Sequence, residues 1–572
     1  MIATRRFTIF FVLCVLSSVA AFGSASNIYI TQSGNAVGNC PSGSYTHTAA
    51  WFNTSSNWGS ASSQIGPGTV VLLCGTFTSG AQDGNMLTVQ GSGSPGSPIV
   101  IDCDTTCNFN STGWWGLFNY SYCPACTGAI TLNNVSYVTL DGEGTGVIQN
   151  MLAGCVQGTP SGNTCDGGVS ATCPSGTCSQ QPGTNGTLAI HVFGDHIIVR
   201  NWTIQKMYVN AGSTTSINDI QGMYSTGIRL DGCPTGICNI EIANNIVNDS
   251  RGGILSAASG STGAAECPGA GVCIHDNKLS GHPWPMMLNE SASGGIVNAY
   301  NNEIGDIGAL SGWLNWQYPS SEYHQSGMFI AGTTYNLTAY IWNNYIHGDL
   351  GQGSPSGMLY CTAWSSSTGG CNGIAWNNVL VGTGSALTND QLVAANQPGV
   401  SGQEANLALY NNTLVNGGYQ IEWYTYGNNN PTMAWQSYNN IFSGSGASWF
   451  YTTSNGGTYL ASFAADGNVY YNGISHPWQY NNDVYSSLAA WQAGCGCDSN
   501  AQLINPGLKA SNAPSPFSPI TTTGTNLTAL CSGDLVLLCR DKNGSPRPAT
   551  GSWSAGAFQP PASPTGVVAV VH

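Results

Sequence analysis

The chain has very little charge. Of 572 residues only 11 are Lys or Arg and 26 are Asp or Glu, or 6% together, against about 25% in an ordinary soluble domain. Exposed helices carry Lys, Glu and Arg on their outer faces, so long surface helices are excluded. Basic residues are few and the net charge is -15, which argues against nucleic acid as a partner, because phosphate binding needs clustered Lys and Arg. Low charge does not here mean disorder, which pairs low hydrophobicity with high net charge. Hydrophobic residues make up 41% and aromatics 10%, enough for a core. The surface must then be Asn, Ser, Thr, Gly and aromatic rings, which suits β structure.

Long apolar runs are confined to the N-terminus. Arg5 and Arg6 precede an apolar stretch from Phe7 to Ala21, followed by the small residues Gly23, Ser24 and Ala25. This is the pattern of a secretory signal at residues 1–25; the stretch falls short of the roughly 20 residues of a spanning helix. A secreted chain with no membrane span in its mature form is expected. Cys14 leaves with that segment. The other cysteines form ten close couples, Cys40/Cys74, Cys103/Cys107, Cys123/Cys126, Cys155/Cys165, Cys173/Cys178, Cys233/Cys238, Cys267/Cys273, Cys361/Cys371, Cys495/Cys497 and Cys531/Cys539. In an exported protein such couples read as disulfides stapling local loops. Cys123-Pro-Ala-Cys126 also has the spacing of a redox or zinc motif, but no second couple with nearby His completes it.

One pattern recurs: a short β-type run, an Asn or Asn-Asn, then a second short apolar run. It appears at Ile198–Ile204, around Asn201, and returns at Asn245, Asn277, Asn302, Asn344, Asn378, Asn412, Asn440 and Asn468. Several units continue to Gly-Ile or Gly-Met, as at Gly227-Ile228, Gly253-Ile254, Gly327-Met328 and Gly357-Met358. Three short strands per unit cannot bury an apolar face alone; stacked coils can. An Asn at the same bend of every coil can bond the Asn above and below, forming a ladder.

This organisation resembles the right-handed parallel β-helix proteins of the pectin-lyase-like superfamily. The opening run Gly66-Pro-Gly-Thr-Val-Val-Leu-Leu73 with Gly75-Thr-Phe77 resembles a first coil, and Asp541-Lys-Asn-Gly-Ser-Pro-Arg-Pro548 with Gly556-Ala-Phe558 resembles a C-terminal segment of such proteins. The expected architecture is an all-β, single-stranded solenoid with an N-terminal cap and first coils at 26–130, the main helix at 131–475, and a last coil with a looped cap at 476–572. The insert 151–186 reads as a long loop.

Before Lys509 the mature chain carries only five basic residues, Arg200, Lys206, Arg229, Arg251 and Lys278. They fall in successive coils that also hold Asp249, His275, His282, Glu290, Glu303, Asp306, Glu322, His324 and His347, so 225–350 is the expected functional belt. The resemblance implies a cleft at the loops that enter the strand beginning Gly-Ile or Gly-Met, and hence polysaccharide cleavage. Two chemistries fit. In β-elimination His282 or His324 would be the base while Arg251, Arg229 or Lys278 neutralises a uronate. In glycoside hydrolysis Asp249 would pair with Glu322 or Asp306. Trp284, Trp313, Trp316 and Tyr323 are candidates for stacking on sugar faces. The Gly-His-Gly motif of polygalacturonases and the Asp cluster of pectate lyases are absent. Asp102-Cys-Asp104 and Asp141-Gly-Glu143 are the acidic pairs open to Ca2+, each with only two carboxylates. The expected partner is a polysaccharide or glycan and the expected state a monomer. A non-catalytic glycan-binding or adhesin-like surface protein is the alternative.

Overall fold

The computed structural model describes residues 27–79, 86–111, 126–150, 164–165, 169–170, 186–205, 207, 224–248, 250, 252–282, 284–289, 293–305, 326–332, 334–348, 356–363, 369–383, 390–398, 404–426, 434–444, 446, 448–454, 462–472, 477–480, 483–516 and 518–560. Residues 1–26 lie outside these, as does the stretch 151–185 apart from two short strands. No helix among them is long and apolar enough to cross a membrane.

Each coil is organised by a two-residue bend. Its first residue takes the left-handed conformation: Asn201, Asn244, Asp276, Asn301, Asn343, Asn377, Asn411 and Asn439 have φ between 52° and 62°, and Gly467 takes this place with φ 68°. Asn and Gly are the residues that accept this conformation at little cost. The second residue turns inward and is buried. Asn245, Asn277, Asn302, Asn344, Asn378, Asn412, Asn440 and Asn468 occupy it. In each, the backbone N–H and Nδ2 both donate to Oδ1 of the next rung, as when Asn302 reaches Asn344 at 2.9 and 3.1 Å. The ladder ends on Asp498, whose Oδ1 accepts from Asn468 Nδ2 at 3.0 Å. It begins one place away from expectation. Asn201 is the left-handed residue and donates to Asp141, while Trp202 fills the inward place and its N–H donates to Asn245 Oδ1.

The strand before the bend stacks into a first sheet, which includes Ile240–Ala243, Val272–His275, Ile296–Tyr300, Leu337–Trp342, Cys371–Trp376 and Ala405–Tyr410. The strand after it forms a second sheet, including Ile246–Asn248, Lys278–Ser280, Glu303–Gly305 and Tyr345–His347. A third sheet holds Tyr224–Leu230, Gly252–Ser256, Trp284–Leu288, Met328–Gly332, Ser356–Ala363, Asp390–Pro398, Tyr419–Tyr426 and Ser448–Ser454. Within these sheets neighbouring coils pair in parallel, strand on like strand. This is a right-handed parallel β-helix. Alternation sends Ile242, Ile274, Ala299, Ile341 and Leu409 inward, all buried, and their neighbours outward.

The ends are finished differently. Helix Leu488–Cys495, capped by Ser487 and by Gly496 at φ 63°, sets the fully buried Trp491 against Phe450, Phe463, Trp478 and Tyr485. The chain then runs back along the outside of the first sheet. It grips the left-handed Asn residues: Asn439 Nδ2 donates to Thr525 O, Asn411 Nδ2 to Ser554 O, and Asn377 Nδ2 to Arg540 O. Arg547, buried, donates to Asn377 Oδ1 and Gly556 O, and Lys542 Nζ donates to Asn343 O. Both cysteines are described in seven of the expected couples, and all seven are bridged.

Candidate functional site

The outward faces of the sheets are where ligands can be met, and they differ. On the first sheet, register aligns His275, Tyr300, Trp342, Trp376, Tyr410 and Tyr438 coil by coil. Their rings stack, with centroids 4.6 Å apart for His275–Tyr300, 4.3 Å for Tyr300–Trp342 and 5.1 Å for Trp342–Trp376. Trp342 and Trp376 are buried and cluster with Leu527, Leu538 and Trp553 of the returning C-terminal segment. These rings hold the tail; they are not a free sugar platform.

Toward the N-terminal coils the same row becomes charged: Asp102, Asp141 and Arg200 are in register. Asp141 accepts from Arg200 Nε at 2.5 Å, Asn201 Nδ2 at 2.8 Å and the Glu143 N–H at 2.9 Å. Burial pushes Asp141 up, but these donors and the guanidinium charge prevail and hold it below its usual value. Asp102, pushed up by burial and by the charges of Asp141 and Glu143, reaches about 6. The folded chain thus joins one acid of the first pair, Asp102, to both acids of the second. Ligand atoms of Asp102, Asp141 and Glu143 lie within 4.8 Å of one another. The donor set is a poor match to Ca2+, which wants six to eight oxygens, because a guanidinium already occupies the central carboxylate.

The third sheet carries the outward row Arg229, Leu255, Met287, Phe329, Tyr360, Ala394, Glu422 and Tyr451. Its centre is apolar and aromatic, with Met287, Phe329, Tyr360 and Ala394 packed together beside Leu255 and Trp284. The Trp284 ring lies 6.3 Å from Phe329. At one end Arg229 holds Asp231 through two bonds, Nε at 2.8 Å and Nη2 at 2.9 Å, and His191 Nε2 meets the same carboxylate at 3.0 Å. All three are buried. Burial alone would raise Asp231, but His191 and Arg229 keep it below its usual value. At the other end Glu422, 7% exposed, has an Oε2 with no hydrogen-bond partner. Burial pushes its carboxyl up to about 8, so it is a neutral acid at pH 7. Tyr419 and Tyr451 flank it, with ring centroids 4.9 Å apart. Arg229 and Glu422 are six coils apart, or about 29 Å at the sheet spacing. They are two ends of a face, and no single reacting group touches both.

The residues expected from sequence do not converge. Arg200, Arg229 and Lys278 face outward from the first, third and second sheets respectively. Each is paired, Lys278 with Glu303 at 3.3 Å. Sequence proximity had suggested one basic cluster, but the position within the coil decides the face. His282 is fully buried, its ring at 2.8 Å from Ser250 O and 2.9 Å from Val247 O. Burial lowers it to about 4, so it is a neutral strut between coils, with no path to a substrate proton. Trp284 does lie on the third face. Asp249, Arg251, Glu322, His324, Trp313, Trp316 and Tyr323 lie outside the described residues, as do Asp306 and Glu290. Sequence reading missed Glu422, although Tyr419-Gln-Ile-Glu-Trp-Tyr424 places it outward once Ile421 is taken as core. It also missed His191 and Asp231.

No family model and no curated sequence matches the chain. Among solved structures it is similar to the pectate lyase Pel9A (12% identity, TM-score 0.40, covering 93% of this chain and 96% of that one). It is also similar to XylC in complex with xylose (10% identity, TM-score 0.40, 93% and 98%). A third match is a mannuronic acid specific polysaccharide family 6 lyase from human gut microbiota (10% identity, TM-score 0.35, 84% and 92%).

Proposed function

We propose that this is a secreted carbohydrate-active protein that holds a polysaccharide along the outer face of its third sheet and cleaves it, with Glu422 donating the proton to the departing glycosidic oxygen. The observation that carries the reading is the carboxyl of Glu422: buried, unpartnered at Oε2, neutral at pH 7 and set beside two tyrosines. An acid kept protonated by burial is what leaving-group protonation requires. Both hydrolysis and β-elimination need that proton, so the acid does not by itself choose between them. Hydrolysis is the better fit at the described residues, because the cations that would neutralise a uronate are already paired, Arg229 with Asp231 and Lys278 with Glu303. The complementary base or nucleophile would stand on the loops entering the strands next to Glu422. Asp249 and Arg251 precede strand Gly252–Ser256, five coils away, and Glu322 and His324 precede Met328–Gly332, three coils away, about 24 and 14 Å at the sheet spacing, so they are not assigned to this pair. Trp284, half-buried and packed against the buried Phe329 and Tyr360, would be the ring that lies on a sugar face.

The test is a panel of neutral and acidic polysaccharides, read by reducing ends for hydrolysis and by ultraviolet absorbance for unsaturated products. Turnover by the parent and its loss by roughly a hundredfold or more in Glu422→Gln, with the fold retained, is expected. Turnover unchanged in Glu422→Gln refutes the assignment. The second reading is a glycan-binding surface protein without turnover; the scatter of Arg200, Arg229 and Lys278 over three faces favours it, and binding without products on any member of the panel would establish it.

A further inference from the structure

A groove of about 260 Å³ opens on the first sheet, on the coils that the C-terminal segment leaves uncovered. Its floor is the outward row Thr139, Ile198 and Glu241, and one wall is the stack of bend residues Tyr137, His196 and Asn239. Tyr137 and His196 both have positive φ, 56° and 55°, which turns their side chains out of the coil. Their rings stack with centroids 4.2 Å apart, and the His196 side chain is 41% exposed.

We infer that this groove is a second carbohydrate site, separate from the third sheet, which takes one neutral sugar unit of a polymer. A mainly apolar lining with a few polar groups, here Thr139, Glu241 and Asn239, is the usual make-up of a small-ligand site. Pro98, Ile198 and the Tyr137–His196 pair offer apolar surface to sugar C–H groups, while Glu241, 24% exposed at its side chain, is an acceptor for paired hydroxyls. Charge decides the class of sugar. The nearby cations are already held, Arg200 by Asp141 at 2.5 Å and His275 by Asp276 at 2.7 Å and Glu241 at 3.5 Å. His196 is likewise paired with Asp195 at 3.0 Å. A uronate carboxylate would meet Glu241 without a spare cation, so an uncharged unit is preferred.

This inference rests on the reading that the protein acts on glycans, and its test keeps the two apart. The full chain carrying Glu422→Gln is run in gels containing soluble xylan, β-glucan or galactomannan, with polygalacturonate as the charged counterpart. Retardation by at least one neutral polymer is expected. Tyr137→Ala with His196→Ala should weaken it roughly tenfold, the worth of two ring contacts. Ile198→Trp, which fills the groove from the outer face, should do the same and serves if the double variant fails to fold. With Glu422 intact, both variants should still turn over short soluble oligosaccharides. Unchanged retardation in both variants, tighter retention by polygalacturonate than by every neutral polymer, or no retention at all overturns the site.

Discussion

The sharpest quantitative consequence concerns two adjacent residues of the same type. Asn301 is exposed and left-handed, with φ 54°, whereas Asn302 is buried in the ladder. Truncating Asn302 to Ala removes the acceptor for the Asn277 N–H and for Asn277 Nδ2, both at 3.1 Å, and the donor to Ile274 O at 2.9 Å. Asn344 Oδ1 also loses the Nδ2 donor at 3.1 Å, so four buried polar groups lose a bond. A bond between neutral groups nets about 1 kcal/mol, but an orphaned buried group costs about 1–3 kcal/mol. Allowing for relaxation, the loss should be about 4 kcal/mol. Asn301→Gly keeps the left-handed bend at no steric cost and should change stability by less than about 0.5 kcal/mol. Stability in a solenoid is a sum over coils and their neighbours, so the loss should be local at first. Guanidinium unfolding followed by circular dichroism reads the whole helix, and amide exchange at 272–275 and 337–342 reads the neighbouring coils. Equal midpoints and equal exchange for the two variants would refute the ladder as a source of stability.

Two buried groups give opposed pH slopes. Glu422 rises from 4.5 unfolded to about 8 folded; its contribution is present below 4.5 and lost as pH climbs toward 8, by at most about 1.4 kcal/mol per pH unit. His282 falls from 6.5 to about 4; its contribution is present above 6.5 and lost as pH drops toward 4. Between 4.5 and 6.5 these two slopes oppose each other, and Asp102, raised from 3.8 to about 6, adds a loss as pH climbs, so each variant is read as its difference from the parent. Glu422→Gln should become less stable on acidification and His282→Gln less stable on alkalinisation, as read by melting temperature across that window. Arg547→Met should release the C-terminal segment, because Asn377 Oδ1, Ser554 O and Gly556 O each lose a donor. A loss of about 3–5 kcal/mol, with new dye binding at the bared Trp342 and Trp376, is expected; an unchanged melting temperature contradicts it.

The solenoid was legible because its bend repeats in sequence. Spacings of 32, 25, 42, 34, 34, 28 and 28 residues separate rungs that are in direct hydrogen-bond contact; only the loops vary. The start was misread at Asn201 because two successive residues make the bend, and identity alone does not say which of them turns inward. The close cysteine couples were legible for the same local reason. Sites were far less so. Arg200, Arg229 and Lys278 sit in neighbouring coils, but one precedes the bend, one lies in the third strand and one follows the bend, so they point in three directions. His282 carries no sequence mark of burial, which comes from its fit between Val247 and Ser250 on the preceding coil. Nothing local to Tyr300, Trp342 or Trp376 says that Leu527, Leu538 and Trp553, more than a hundred residues later, pack upon them.

The scarcity of basic residues changes meaning once each has a place. Arg229 locks Asp231 under the third face, Arg200 holds Asp141, Lys278 meets Glu303, and Lys542 and Arg547, lowered by burial to about 8 and about 10, pin the tail across the left-handed Asn residues. These five cations are structural fasteners. What remains for ligands on the described faces is flat rings and acids: Glu422 with its tyrosines on the third sheet, and Glu241 beside Tyr137 and His196 on the first. Such surfaces are matched to polyols by hydroxyl and C–H contacts. They are poorly matched to polyanions, whose carboxylates would be desolvated against acids with no cation in return. If the proposed function holds, activity should fall in the order neutral polymer, then esterified uronan, then free uronan, and raising ionic strength should narrow the gap because it screens the repulsion from half-buried acids such as Glu241. A free uronan degraded fastest at low salt would show that cations outside the described faces govern recognition.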